Sequence, residues 1–209
     1  MDVYLKNINQ VIKFNSLVNF IQYIYIMNKI INYIIGIARA WPIIIILAPF
    51  LSYFLTHNND LLLLSFVLIL SDSFNHFLKY SIFKPLLGSK EYPIIGSGSR
   101  PKGANNCGLF TTKTGKIHPG SYGMPSGHSQ SALFFSSYAI HQLLDSNMNE
   151  SMKMYGIFLF ISLGLGIMYS RVYLKCHTIQ QVIAGGLLGS ILGTLYYNNK
   201  DFIKQQLNL

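Results

Sequence analysis

The chain has 209 residues, 51% hydrophobic and only 11% charged, with a mean hydropathy of +0.35. Soluble domains carry roughly 25% charged residues, so the composition excludes an ordinary soluble domain and indicates one membrane-embedded domain. The net charge of +9 would suit nucleic acid on a soluble protein, but much of it lies in one loop and near the chain ends, which favours anionic lipid or phosphate over nucleic acid.

Met1–Asn15 is polar and lysine-bearing, with no small-residue cleavage site behind a short apolar core, so no secretory signal is expected. In Phe14–Ile37 the apolar run is interrupted by Asn15, Asn19, Gln22, Asn28, Lys29 and Asn32. An interfacial amphipathic helix is expected there, with a membrane span as the alternative. Trp41–Thr56 is almost wholly apolar and, with Ala40, reaches the short end of spanning length. Pro42 suits a first helical turn, and Pro49 is tolerable mid-span if neighbouring groups satisfy the freed carbonyl. Leu61–Lys84, Ser126–Leu144, Tyr155–Leu174 and Ile179–Tyr197 read as further spans. The expected fold is an all-α polytopic membrane bundle of five to six spans. Its expected parts are an N-terminal segment (1–39), a catalytic membrane domain (40–198) and a short polar tail (199–209). Gly185, Gly189 and Gly193 recur every four residues, a small-residue face for close helix packing.

Within the second span, Asp72, Asn75, His76 and Lys79 fall on one helical face. Polar groups at membrane depth are costly and face a site or one another; a packing network, or Lys79 reaching to the interface, is the alternative to a site. The loop Pro85–Pro125 holds eight glycines, five prolines, Lys90, Arg100, Lys102, Lys113 and Lys116. Its length and its ending at Pro125-Ser126-Gly127-His128 suggest function. Ser126, Gly127 and His128 open an apolar helix, whose N-terminus offers free N–H groups to phosphate. Arg171 and His177 close the fourth span. Arginine can clamp two phosphate oxygens, and a neutral histidine can attack phosphorus. His141 reads as interfacial only. Two cysteines, Cys107 and Cys176, are too few for a disulfide framework.

Pro125-Ser126-Gly127-His128 and Ser170-Arg171-x5-His177 resemble the second and third motifs of the type-2 phosphatidic acid phosphatase superfamily, relatives of vanadium haloperoxidases. The third motif departs at its last position, where Gln181 stands for Asp. Gly123-Met124-Pro125-Ser126-x-His128-Ser129-Gln130 and Ser170-Arg171-Val172-Tyr173-Leu174-x-x-His177-Thr178-x-x-Gln181-Val182 are most like the dolichyl-diphosphatase branch, where Gln also occurs. In the first motif Lys79 matches the lysine. The family's Arg-Pro is absent at Leu86-Leu87 and present at Arg100-Pro101, as if about 14 residues were inserted, from position 86 to position 100.

The resemblance implies that His177 is the nucleophile, with Gln181 holding its other ring nitrogen. It implies that His128 is the acid and base, and that Lys79, Arg100, Arg171, Ser126 and Gly127 bind phosphate. The implied substrate is a lipid diphosphate or monophosphate at the bilayer, and no metal or other cofactor is expected. A haloperoxidase-like vanadate site, a transphosphorylating lipid enzyme and an inactive lipid-binding protein are the alternatives. The positive-inside rule puts the basic side in the cytosol, whereas the branch resemblance implies an endoplasmic-reticulum lumenal site, where Cys107 and Cys176 could pair. Oligomeric state is left open.

Overall fold

The computed structural model describes residues 2–105 and 121–208, with residues 2–18 described by their backbone alone. Cys107, Lys113 and Lys116 therefore lie outside the described residues. The chain is all-α: α1 (Asp2–Thr56), α2 (Asn59–Phe77), a π-helical turn (Leu78–Phe83), α3 (Lys84–Leu87), α4 (Gly127–Leu144), α5 (Glu150–Tyr173) and α6 (Ile179–Leu207). The described residues contain no strand; Ser99 and Tyr122 form an isolated antiparallel bridge. Side chains cap four of the helix starts: Asn58 on α2, Ser126 on α4, Asn149 on α5 and Thr178 on α6. Each accepts a hydrogen bond from an N–H that the first helical turn leaves unpaired.

Among the described residues, four helical stretches are long and apolar enough to cross a membrane: Asn19–Thr56, Asn59–Leu87, Glu150–Tyr173 and Ile179–Leu207. The expectation of five to six spans exceeds the four stretches that have the length and apolarity of a span among the described residues. Two features account for the difference. Phe14–Ile37 and the apolar run after it belong to one helix. The segment read as a third span, α4, carries His128, Ser129, Gln130, Ser131, Ser136, His141 and Gln142. Those polar groups are affordable because α4 is enclosed by protein: Ser129, Gln130, Ser131 and Ser136 are buried. Lipid-facing surface looks different. Phe158, Leu159, Leu165 and Tyr169 of α5 and Leu187, Ile191 and Leu195 of α6 are exposed, an apolar exterior that suits hydrocarbon.

The chain divides into two units, Met1–Ala38 and Arg39–Leu209. The first is helical, and its apolar side chains Phe20, Tyr25, Ile30 and Ile34 are exposed. In the second, α4 is central and packs most extensively on α6, then on α5. The glycine face explains the closest contact. A Cβ at Gly185, Gly189 or Gly193 would overlap the backbone oxygens of Ser126, Gln130 and Phe134 respectively. Each step of four residues on α6 matches a step of four on α4, so the two backbones meet along three turns. The N-termini of both helices are thereby brought together, and the Ser126 N–H donates to the Gln181 carbonyl at 2.9 Å. Trp41 of α1 packs edge-on against Phe135 of α4. At the opposite end of the bundle, Lys204 of α6 bridges Asp60 of α2 at 2.8 Å.

Candidate active site

His177 sits in the short link between α5 and α6, and only 4% of it is exposed. The end of α5 folds back on itself here: the N–H groups of Cys176 and His177 both donate to the Arg171 carbonyl, at 2.9 and 3.2 Å. Thr178 then caps α6 in a reciprocal box with Gln181. The pattern Thr-x-x-Gln is a legible start signal, but it conveys only part of what Gln181 does. Gln181 Oε1 accepts from His177 Nδ1–H at 3.0 Å and from the Thr178 N–H at 3.3 Å. Its Nε2 donates to the carbonyls of Gly98 and Ser99, at 3.1 and 2.7 Å. One fully buried amide therefore holds both the histidine ring and the loop that approaches it. Gly123 is what leaves room, since a Cβ there would overlap the Gln181 amide.

That loop delivers Arg100. Ile94 O accepts from the Ile179 N–H at 2.9 Å, Gly96 N–H donates to Gln180 Oε1 at 2.6 Å, and Thr178 Oγ1–H donates to Gly96 O. With segment 94–99 pinned to the start of α6, Arg100 reaches inward. Its Nε donates to Ser121 Oγ at 2.9 Å, and its Nη1 to Cys176 O at 3.1 Å and His177 Nε2 at 3.2 Å. A guanidinium is donor-only, so His177 Nε2 must present its lone pair and Nδ1 must carry the ring hydrogen. Both contacts select the same neutral tautomer. Burial first, then the charges of Arg100 and Lys79, hold the His177 pKa well below the ordinary imidazole value, against the opposing hydrogen bond to Gln181. Burial also lowers the Arg100 pKa, opposed by Tyr80.

The remaining residues converge on the same region. Arg171 is fully buried, and its Nε donates to Ser170 Oγ at 3.0 Å. Arg100, Lys79 and His128 all lie close enough to act on the charge of His177. Lys79 belongs to the π-helical turn, where the Lys84 N–H reaches back five residues to Lys79 O. Such turns are frequent at functional sites. Within α2 the face read from sequence divides: Asn75 is buried, while Asp72 and His76 are exposed. Asn75 Nδ2 donates to Gln130 Oε1 at 2.6 Å, and Gln130 Nε2 donates to Ser71 O and Oγ at 2.8 and 2.9 Å. This buried polar clasp sets α2, and Lys79 beyond it, against the start of α4.

Ser126 is buried, and its Oγ accepts from the Ser129 N–H and hydroxyl at 3.4 and 3.0 Å. Its own hydroxyl hydrogen is left to donate. Gly127 opens α4, and His128 follows it. His128 Nε2 donates to the Arg39 carbonyl at 3.1 Å. A carbonyl can only accept, so Nε2 keeps its hydrogen and proton exchange at this ring falls to Nδ1. His141, as expected, takes no part: it stacks on Tyr197 and contacts Thr194 Oγ1 at 3.3 Å. A cavity of about 480 Å³ opens beside His177, bordered by Tyr92, Ile94, Pro101, Lys102 and Tyr173. Among the described residues, no group of three or more His, Cys, Asp and Glu is positioned to hold a metal ion.

The eight residues that the family resemblance implicates thus lie near one another at the joined starts of α4 and α6. Sequence reasoning missed Arg39, Gln180 and Ser121, none of which belongs to a local pattern, and it did not join Asn75 and Gln130 to Ser71 in one clasp.

A cluster of cations around two histidines at the end of an apolar helix bundle is a setting suited to an anion, and a family comparison makes the class definite. The PAP2 superfamily model matches residues 60–204, and the chain belongs to that superfamily. Its relatives include the dolichyldiphosphatase of Saccharomyces cerevisiae, 31% identical over 157 residues, which cover 74% of this chain and 58% of that protein. Dolichyldiphosphatase 1 of Dictyostelium discoideum is 39% identical over 87 residues, 40% of this chain and 38% of its own. Lipid phosphate phosphatase gamma of Arabidopsis thaliana is 30% identical over 175 residues, 78% of this chain and 66% of its own. No solved structure matches the chain significantly.

Proposed function

We propose that the protein is an integral-membrane lipid phosphatase that hydrolyses a polyprenyl diphosphate of the dolichyl type to the monophosphate through a phosphohistidine intermediate. The observation that carries this reading is the His177 ring: neutral, with Nδ1–H held by Gln181 and the Nε2 lone pair turned to a buried guanidinium. An incoming phosphate takes over the Arg100 hydrogen and frees that lone pair. His177 Nε2 then attacks the terminal phosphorus as the bond from phosphorus to the bridging oxygen breaks, and the lipid monophosphate leaves. His128, protonated at Nδ1 as well as Nε2 once the anionic diphosphate is bound beside it, gives the leaving oxygen its Nδ1 proton, and afterwards takes one back at Nδ1 from the water that attacks the phosphohistidine. The N–P bond breaks, and orthophosphate departs. Lys79, Arg100 and Arg171, with the Ser126 hydroxyl and the Gly127 N–H, stabilise the equatorial oxygens. A site at one end of the bundle leaves the long tail in lipid. A dolichyl-type substrate assigns the protein to the endoplasmic reticulum or another internal membrane.

The similarity to yeast and Dictyostelium dolichyldiphosphatases supports the diphosphate. The Arabidopsis relative favours a second reading, a broader lipid phosphate phosphatase. The test is kcat/KM for phosphate release from a polyprenyl diphosphate and from phosphatidic acid in the same detergent, with His177→Ala as control. A preference of about tenfold or more for phosphatidic acid, about 1.4 kcal/mol in transition-state binding, rejects the diphosphate reading and leaves the lipid phosphatase intact. No release from either lipid leaves a lipid-binding membrane protein.

A further inference from the structure

Arg39 lies outside every motif considered above, yet it is built into the site. It is the first residue of the second unit and half-buried on α1. Its carbonyl holds His128 Nε2. Its guanidinium lies close enough to Arg171 for the two charges to act on each other. Its Nε is buried without a hydrogen-bond partner, and Arg39 makes no ion pair among the described residues. A buried N–H of a charged group left unpaired is costly, and a second guanidinium nearby adds like-charge repulsion. An anion at this point relieves both.

The position of Arg39 says which anion. Within the proposed mechanism, His177 stands behind the terminal phosphorus, and His128 meets the bridging oxygen on the opposite side. The Arg39 carbonyl holds His128 by Nε2, and the long Arg39 side chain, whose charge lies near Arg171, can extend past that ring to the leaving-group side. In a phosphate monoester the lipid oxygen occupies that side and carries little charge. In a diphosphate the same place holds a second, anionic phosphate. We propose that Arg39 binds this inner phosphate of a lipid diphosphate and stabilises it as it leaves, so that Arg39 sets the preference for diphosphates over monophosphates. The inference rests on the lipid phosphatase reading and adds to it a specificity residue from a helix that the family motifs do not include. The chemistry fits an arginine, whose planar fork can meet two oxygens of one phosphate.

The experiment uses the full chain in detergent and compares a polyprenyl diphosphate with the polyprenyl monophosphate of the same tail. Arg39→Gln should lower kcat/KM for the diphosphate at least tenfold more than for the monophosphate. Arg39→Lys keeps the charge and loses the fork, and should show the same bias at least threefold. A second readout needs no turnover: in the His177→Ala protein, inorganic pyrophosphate should raise the melting temperature more than orthophosphate does. Arg39→Gln should remove that difference. Equal losses on both lipids, together with an unchanged pyrophosphate advantage, would overturn the assignment. If Arg39→Gln does not fold, the lysine variant carries both measurements. If the wild-type protein releases no phosphate from any lipid, the proposed function fails. The pyrophosphate comparison still decides the role of Arg39.

Discussion

Replacing Gln181 tests whether one side chain couples the nucleophile to the loop that carries Arg100. The wild-type amide makes four hydrogen bonds: to His177 Nδ1 at 3.0 Å, Thr178 N at 3.3 Å, Gly98 O at 3.1 Å and Ser99 O at 2.7 Å. Leucine has a similar size and makes none of them. Each polar group stranded in a buried setting costs about 1–3 kcal/mol, so even two of the four amount to about 2–6 kcal/mol. Freed from Gln181, the His177 ring keeps only Arg100 to select the Nδ1–H form and loses that hold when phosphate takes Arg100; a wrong tautomer can cost up to about 10⁴-fold in kcat. Gln181→Leu should therefore lose about 10²–10⁴-fold in kcat, and KM should rise as the loop loosens around Arg100. Gln181→Glu separates the two roles. A carboxylate still accepts from Nδ1–H, and it favours the imidazolium. The His177 pKa, held low by burial and by Arg100 and Lys79, should then rise, and the acidic limb of the pH–rate profile should move upward. The same carboxylate faces two carbonyl oxygens that had received N–H donors, so KM for the lipid should increase as well. Gln181→Asp, one methylene shorter, should repeat the pH shift with a greater loss of rate. The assay is phosphate release against pH in detergent for the four proteins. Matching kcat, KM and pH limbs across the set would refute the coupling and remove Gln181 from the site.

Three further outcomes are expected. His177→Ala should abolish hydrolysis, while His128→Ala should lose about 10²–10⁴-fold in turnover yet still incorporate phosphate covalently from a substrate with a good leaving group; turnover at the wild-type rate in His177→Ala would sink the nucleophile assignment. Activity should persist in EDTA, because Lys79, Arg100 and Arg171 supply the positive charge; arrest by EDTA with rescue by magnesium would mean a metal takes part. Gly189→Ala should destabilise the fold by about 1–3 kcal/mol, since its Cβ would overlap the Gln130 carbonyl, whereas Gly166→Ala meets nothing within 4 Å; equal melting temperatures for the two variants would contradict the backbone contact between α4 and α6.

The residues proposed to handle phosphate were legible because their spacing is short and chemically specific. Pro125-Ser126-Gly127-His128 and Ser170-Arg171-x5-His177 each lie within one helix end, where backbone geometry alone brings them together. The glycine period on α6 was legible for the same reason, as a repeat along one helix face. The membrane character followed from composition. The span count did not, because a hydropathy reading cannot separate a helix bathed in lipid from one sheathed in protein. Ser129, Gln130, Ser131 and Ser136 are affordable in α4 only because neighbouring elements cover them.

What tertiary structure alone decided are the long-range meetings. Arg100 could be matched to a motif only through an assumed insertion, and its reach to His177 depends on hydrogen bonds between 94–99 and 178–181, across about 80 residues of chain. Gln181 read as a partner of His177; that it also fastens the loop required the loop's path. Arg39 gave no signal at all, since nothing local distinguishes it from an interfacial arginine. Sequence by itself determines which groups carry charge, lone pairs and helix starts, since those are properties of single residues and short spacings. Which of them share one small volume is settled by packing, where three glycines let two helix backbones touch and a buried amide binds a distant loop to the histidine beside it.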